Sequence, residues 1–337
     1  MKRRVLLQAS LGLGLFGKAY GLADHQNARL STDSVAPLVW RNRPLLGFGT
    51  TLSLLVGHPD AAFAEKALDG AVTKIRHIEA QMSLFDPGSA LSQLNRQGFL
   101  NKPDADLLSI LKTAQHISQK SSGTFDVTVQ PLWEAFAAAQ KNNTLPTQQA
   151  VQVARQKIGW QYLEVSAQTI RLNKPDMAVT LNGIAQGYAA DQVQSLWRGM
   201  GIQHALINTG EWAALGQSQS NSGWVLGIAD PRSEEKMMQT ISMQGKSIAT
   251  SSDSQTFFSD DFKNHHIFNP ATGYSPADIA SVTVAAETCT LADALTKVIF
   301  VAGLKNALEV AKHWSVDVLV VDKKGGWLAS PGFKLAA

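Results

Sequence analysis

Eight short windows of the chain gather glycine, hydroxyl and acidic residues between apolar runs. They are residues 47–56 (GFGTTLSLLV), 82–95 (MSLFDPGSALSQLN), 121–133 (SSGTFDVTVQPLW), 179–191 (VTLNGIAQGYAAD), 206–216 (LINTGEWAALG), 247–254 (SIATSSDS), 265–276 (HHIFNPATGYSP) and 288–303 (TCTLADALTKVIFVAG). Three kinds of chemistry are on offer in them. An imidazole with its usual pKa near about 6.5 suits taking a proton from a Ser or Thr hydroxyl. His265 and His266 provide two, and because neighbours on a strand point to opposite faces, only one of them should enter a site. Glycine turns, as at Asn182-Gly183, let a backbone approach phosphate oxygens closely. On the residues alone, Asp293 reads as a first-turn helix acid favoured by the dipole. Asp293 and Lys297 are spaced i, i+4 with the acid first, the favourable order for an ion pair on one helix face. Taken singly, each window also has a purely structural reading as tight turns, helix caps and packed alanines.

Elements that could position these windows follow from periodicity. Helical spacing of apolar residues occupies 61–82, 105–121, 147–158, 183–200 and 291–314, the last with a break near Gly303. Alternating or β-branched runs at 49–56, 169–172, 205–208, 224–228, 240–243, 281–285 and 316–321 predict strands. Residues 140–149 and 216–223 are polar and turn-rich, and read as surface insertions. Helices and strands are mixed without a regular βαβ alternation, and no Gly-x-Gly-x-x-Gly opens a helix after a strand. The pattern therefore predicts an α+β fold, with mixed sheets and packed helices, and argues against a doubly wound dinucleotide fold.

At 337 residues and 45% hydrophobic, the chain can bury one large core or two ordinary ones. Its +3 charge is misleading, because Lys2, Arg3, Arg4 and Lys18 stand in the first 23 residues, where there are no acids; the remainder carries −1. A near-neutral body lacks the clustered cations that duplex nucleic acid demands. The cationic start, the apolar run at 5–16 and the small residues ending at Ala23 form an export signal. Arg3-Arg4 followed by Val5-Leu6-Leu7 resembles a twin-arginine signal; an ordinary secretory signal is the other reading. The only cysteine, Cys289, lies far from this segment, so no lipid anchor is expected and the mature protein should be periplasmic, without a stable membrane anchor.

In order, the eight windows resemble the family of FAD:protein FMN transferases of the ApbE type, formerly called thiamine-biosynthesis lipoproteins. The densest similarity lies in SSGTFDVTVQPLW, HHIFNPATGYSP and TLADALTKVIFVAG, and the resemblance implies a flavin transferase domain over about 40–330. It further implies an enzyme that binds FAD with Mg²⁺ and transfers FMN to a Thr or Ser of an exported flavoprotein or respiratory-complex subunit, releasing AMP. Flavin contacts implied by the resemblance are Phe48, Phe85, Thr124, Phe125, Asp126, Thr180, Gln186 and His266. For Phe48 and Phe85, core packing is the alternative reading. The resemblance makes His266 the base, with His265 as competitor, and puts the metal on Asp293, on a backbone carbonyl of the Asn182-Gly183 turn and at position 297.

The chain departs from the family pattern at several of these places. Lys297 stands where the family has a metal-binding Thr, Thr180 replaces an acid, Gln186 replaces Lys or Glu, and Asn269 replaces Asp. Thr209-Gly210-Glu211-Trp212 takes the place of a Gly-Gly-Asp segment. Lys297 then either competes with a metal for Asp293 or stands in for its charge. Two other outcomes remain open: hydrolysis of FAD with water as nucleophile, and a periplasmic flavin carrier without catalysis that assists a respiratory complex.

Overall fold

The structure, a computed structural model, describes residues 37–336; the export segment expected at 1–23 lies outside them. Strands β1 (Val39–Gly47) and β2 (Thr50–His58) form a hairpin that leads into α1 (Ala61–Met82) and α2 (Ala90–Gln97). β3 (Phe99–Asn101), α3 (Ala105–Lys120), α4 (Gln130–Gln140), α5 (Gln148–Gln156), β4 (Leu163–Val165) and β5 (Thr169–Leu172) follow. After α6 (Ala185–Gly199) come β6 (His204–Asn208), β7 (Trp212–Leu215), the hairpin β8 (Val225–Asp230) and β9 (Ser233–Ser242), and β10 (Ser247–Ser252). The chain closes with β11 (Ile279–Ala286), α7 (Cys289–Ala302), α8 (Ala307–His313), β12 (Asp317–Asp322) and β13 (Trp327–Ala329).

Eight strands make one sheet in the order β1-β2-β6-β7-β10-β11-β12-β13, and every neighbouring pair in it is antiparallel. Side-chain alternation divides its two faces. Ala249, Val282, Val284, Val318 and Val320 point into a helical layer that contains residues of α3 and α7. Leu52, Leu54 and Val56 meet α1 and α6 in an adjoining cluster around the fully buried Trp197. On the opposite face Ile248, Ala285, Leu319 and Val321 are covered by the β8–β9 hairpin through Leu226, Ile228 and Ile241. Helices and antiparallel sheets together give the α+β class that the sequence pattern predicts. Among the described residues, no helix is long and apolar enough to cross a membrane.

The predicted helix over 61–82 forms with those bounds, capped by Asp60, whose carboxylate accepts from the amides of Ala62 and Phe63. The predicted run over 291–314 divides at Gly303, which takes φ 81° and donates back to Ile299 O at 3.2 Å. Two expectations were too narrow or too wide: the strand at 240–243 is the end of the longer β9, and the helix over 147–158 contracts to α5.

Candidate active site

The site is built where α6 and α7 meet. A Cβ on Gly187 would stand 2.4 Å from the carbonyl oxygen of Cys289 and 2.8 Å from Asp293 Cβ, so glycine is required for the two helices to approach this closely. The contact is fixed by reciprocal capping. Asp191 of α6 accepts from the first amides of α7, Cys289 N and Thr290 N, both at 2.8 Å. Asp293 of α7 in turn accepts from Gly187 N, in the first turn of α6, at 3.1 Å. Each helix thus satisfies amides that its neighbour cannot bond internally.

Asp293 is 1% exposed, and its second oxygen, Oδ1, pairs with the ammonium of Lys297. That ammonium also donates to the Asp293 carbonyl oxygen at 3.2 Å. The lysine stem lies along the Asn182-Gly183 turn: a Cβ on Gly183 would come 3.2 Å from Lys297 Cε. The expected metal positions Gly183, Asp293 and Lys297 are therefore brought together. Their donor set, however, does not fit a divalent ion as it stands. Both carboxylate oxygens already accept from protein N–H groups, and the third side chain offers a cation where Mg²⁺ would need an oxygen.

A second carboxyl, Glu211 at the start of the β7 region, stands beside this pair. It is buried, and its Oε2 accepts from Thr250 N at 2.9 Å. Burial pushes its pKa well above the usual carboxylate range; the charge of Asp293 adds to that push, and the ammonium of Lys297 opposes it. Sequence analysis met Glu211 only as part of the Thr209-Gly210-Glu211-Trp212 departure from the family's Gly-Gly-Asp segment and gave it no role in the site.

Gln186 lies against the neighbouring turn. Gly210 takes φ 100°, and a Cβ there would fall 2.2 Å from Gln186 Nε2, while Thr209 Oγ1 donates to Gln186 O at 2.8 Å. The turn before α6 is positioned by Thr180, whose amide donates to Val127 O at 2.8 Å, and by Asn95, which bonds both backbone groups of Val179.

The two histidines separate cleanly. His265 is fully buried against Phe300: its Nε2 lies 3.0 Å from Pro276 O, and its Nδ1 receives the Ile267 amide at 3.4 Å. Both ring nitrogens are committed to packing. His266 lies 3.1 Å through Nδ1 from Thr256 O. Because a carbonyl only accepts, Nδ1 carries the hydrogen and Nε2 is left as the basic atom. The expectation of an unperturbed imidazole is corrected here. Burial, with the charge of Lys297 acting in the same direction, lowers His266 to about 4, and burial lowers His265 to about 3. Both are neutral at pH 7.

The other predicted flavin contacts are distributed differently. Phe48 sits in the β1–β2 turn at φ 50°, half-buried, with its amide 2.5 Å from Glu79 Oε1. Phe85 is 78% exposed in the turn after α1, a flat apolar face with nothing packed on it. Phe125 belongs to the main core. Asp126 spends Oδ1 on the amide and hydroxyl of Thr128 and Oδ2 on Trp160 N, and burial raises its pKa. Thr124 Oγ1 donates to Ser121 O at 2.7 Å. These three brace the segment that carries Val127 beside Thr180. In their present contacts they are scaffold.

Residues 48–320 match the ApbE family. The chain is 28% identical over 286 residues to an FAD:protein FMN transferase of Vibrio cholerae, covering 82% of this chain and 85% of the relative. It is 28% identical over 292 residues to the protein of that name from Escherichia coli K12, covering 82% and 83%. Among solved structures, an ApbE protein of Thermotoga maritima superposes with TM-score 0.79 at 24% identity, over 87% of this chain and 97% of the other. The flavin transferase ApbE of Vibrio cholerae gives TM-score 0.77 at 23% identity, over 87% and 97%. Both structures share the fold.

Proposed function

Since this chain belongs to the ApbE family, we propose that it is an FAD:protein FMN transferase, the name carried by the relatives it matches over most of its length. The observation that carries the proposal is His266: an imidazole whose Nδ1 is engaged by Thr256 O, which leaves Nε2 as the basic atom, and which lies within electrostatic reach of the Lys297 ammonium. In the reaction an acceptor Thr or Ser oxygen bonds to the phosphorus of the FMN half of FAD. The bridging P–O bond breaks, AMP leaves, and the hydroxyl proton passes to His266 Nε2. Phe48 and Phe85 offer aromatic faces to the flavin ring, and Gln186 and Thr180 line the turn that faces the phosphates. The Asp293 donor set, with both oxygens bonded to protein N–H groups and a lysine beside it, does not fit Mg²⁺. The acceptor is an exported flavoprotein or respiratory-complex subunit, and the enzyme works in the periplasm; the support is the export pattern in residues 1–23.

Incubation with FAD and a peptide bearing an acceptor Thr tests this reading, with released AMP and peptide-bound flavin fluorescence measured together. Both products should form, and His266→Gln should abolish them. AMP without flavin on the peptide identifies a pyrophosphatase. Tightly bound, intact FAD identifies a carrier, which the pairing of Asp293 with Lys297 would also suit.

A further inference from the structure

We propose that Lys297 is a built-in replacement for a divalent cation, so that the site takes up the pyrophosphate of FAD without Mg²⁺. The proposal deepens the FMN-transferase reading and rests on it for the identity of the ligand.

Three observations lead to it. The ammonium closes a single-turn i, i+4 contact, bonding both the side chain and the backbone carbonyl of Asp293, and it is therefore held by its own helix. Its stem is confined from the other side by the Gly183 turn, and only 17% of the side chain is exposed. Asp293 and Lys297 also neutralise each other as an ion pair, with the Asp293 side chain only 1% exposed. A dication added to that balanced pair would bring two uncompensated positive charges into a buried place, beside an ammonium that can give it no lone pair. An ammonium has three N–H donors, and Asp293 uses two of them. The third is available to a phosphate oxygen, as a point charge of the kind lysine supplies to phosphates elsewhere.

The test uses the purified mature protein with Mn²⁺ as the metal probe and FAD as the ligand. Mn²⁺ binding is followed by electron paramagnetic resonance, and FAD affinity is measured by titration in EDTA and in Mg²⁺. Wild type should bind no Mn²⁺ up to about 1 mM, a very weak affinity by any standard, and should bind FAD within about twofold as tightly in EDTA as in Mg²⁺. Lys297→Met should lose roughly tenfold in FAD affinity in both media, and Lys297→Arg, which keeps the charge, should recover most of it. Lys297→Thr should gain Mn²⁺ binding and make FAD affinity depend on Mg²⁺. Stoichiometric Mn²⁺ binding by wild type, or FAD affinity that rises about tenfold with Mg²⁺, would overturn the proposal and leave the transferase reading intact. Unchanged FAD affinity in Lys297→Met would overturn it as well. Conversely, cation-independent FAD binding with no FMN transfer to an acceptor removes the transferase reading and upholds Lys297. If FAD does not bind at all, the proposal fails together with that reading.

Discussion

Replacing Gly187 by alanine should destabilise this protein, although alanine is the better helix former. The added Cβ would lie 2.4 Å from Cys289 O and 2.7 Å from Cys289 C, both backbone atoms that cannot swing aside. Restoring ordinary contact of about 3.4 Å requires α6 and α7 to part by roughly 1 Å at this point. Overpacking a tight interface costs roughly 1–3 kcal/mol, and a clash with backbone belongs at the upper end. Weakening the charge-assisted bond from Gly187 N to Asp293 adds about 1 kcal/mol, whereas the helix propensity of alanine returns about 1 kcal/mol. The net loss is about 2–3 kcal/mol, which lowers the melting temperature of a chain of this size by roughly 3–5 °C. Gly70→Ala in α1 supplies the control. Its Cβ meets only Leu196 Cδ2, at 3.5 Å, so the variant should be more stable than wild type by about 0.5–1 kcal/mol. Thermal and urea melts of the two variants beside wild type measure both effects. If Gly187→Ala melted at or above wild type, the close approach of α6 and α7, and with it the seating of Asp293, would be refuted.

Phe85→Ala should leave the melting temperature unchanged, since the ring is 78% exposed, but should weaken FAD by about five- to tenfold through lost stacking, as isothermal titration would show. Asp191→Ala should cost about 1.5–3 kcal/mol in a urea melt, because it frees two buried amides at the start of α7. The unfolded chain takes up histidine protons near pH 6.5, while native His266 waits until about 4 and His265 until about 3. Stability therefore falls as pH is lowered from 7 toward 4, and His266→Gln should lose less between pH 7 and pH 5 than wild type does. Glu211 has the opposite sign. Its raised native pKa makes the folded state hold a proton that the unfolded state has released above about 4.5, so stability is lost as pH rises through the native value. Glu211→Gln should gain on wild type across that window in melts taken at successive pH values.

Long amphipathic helices such as α1 were legible because their apolar spacing is local and persistent. Other elements were hidden for identifiable reasons. β10 reads SIATSS, small and polar, yet five of its six residues are buried; a strand covered on both faces shows no alternation. β1 carries Pro44 and two arginines, which suits a sheet edge and obscures a strand pattern. Its Arg41 and Arg43 are tied instead to Glu65 and Asp69 of α1. In the site, the ordered windows and the Asp293–Lys297 spacing could be read because they are contiguous. The partnership of Asp191 with Cys289 and of Gly187 with Asp293 could not, since those residues are 98 and 106 positions apart. That His265 and His266 meet the carbonyls of Pro276 and Thr256 was equally out of reach, since no local pattern reveals those partners.

The exchange of caps between α6 and α7 also determines how this site opens. The amides of Gly187, Cys289 and Thr290 are each held by a carboxylate on the other helix, so none of them reaches solvent by fraying of its own helix end. They become labile together, when the helices separate, and the same event strips Asp293 of a partner. Helix ends are ordinarily the soft parts of a fold. Here two of them are locked into one cooperative unit, and the ion pair at the centre of the site inherits the rigidity of the core.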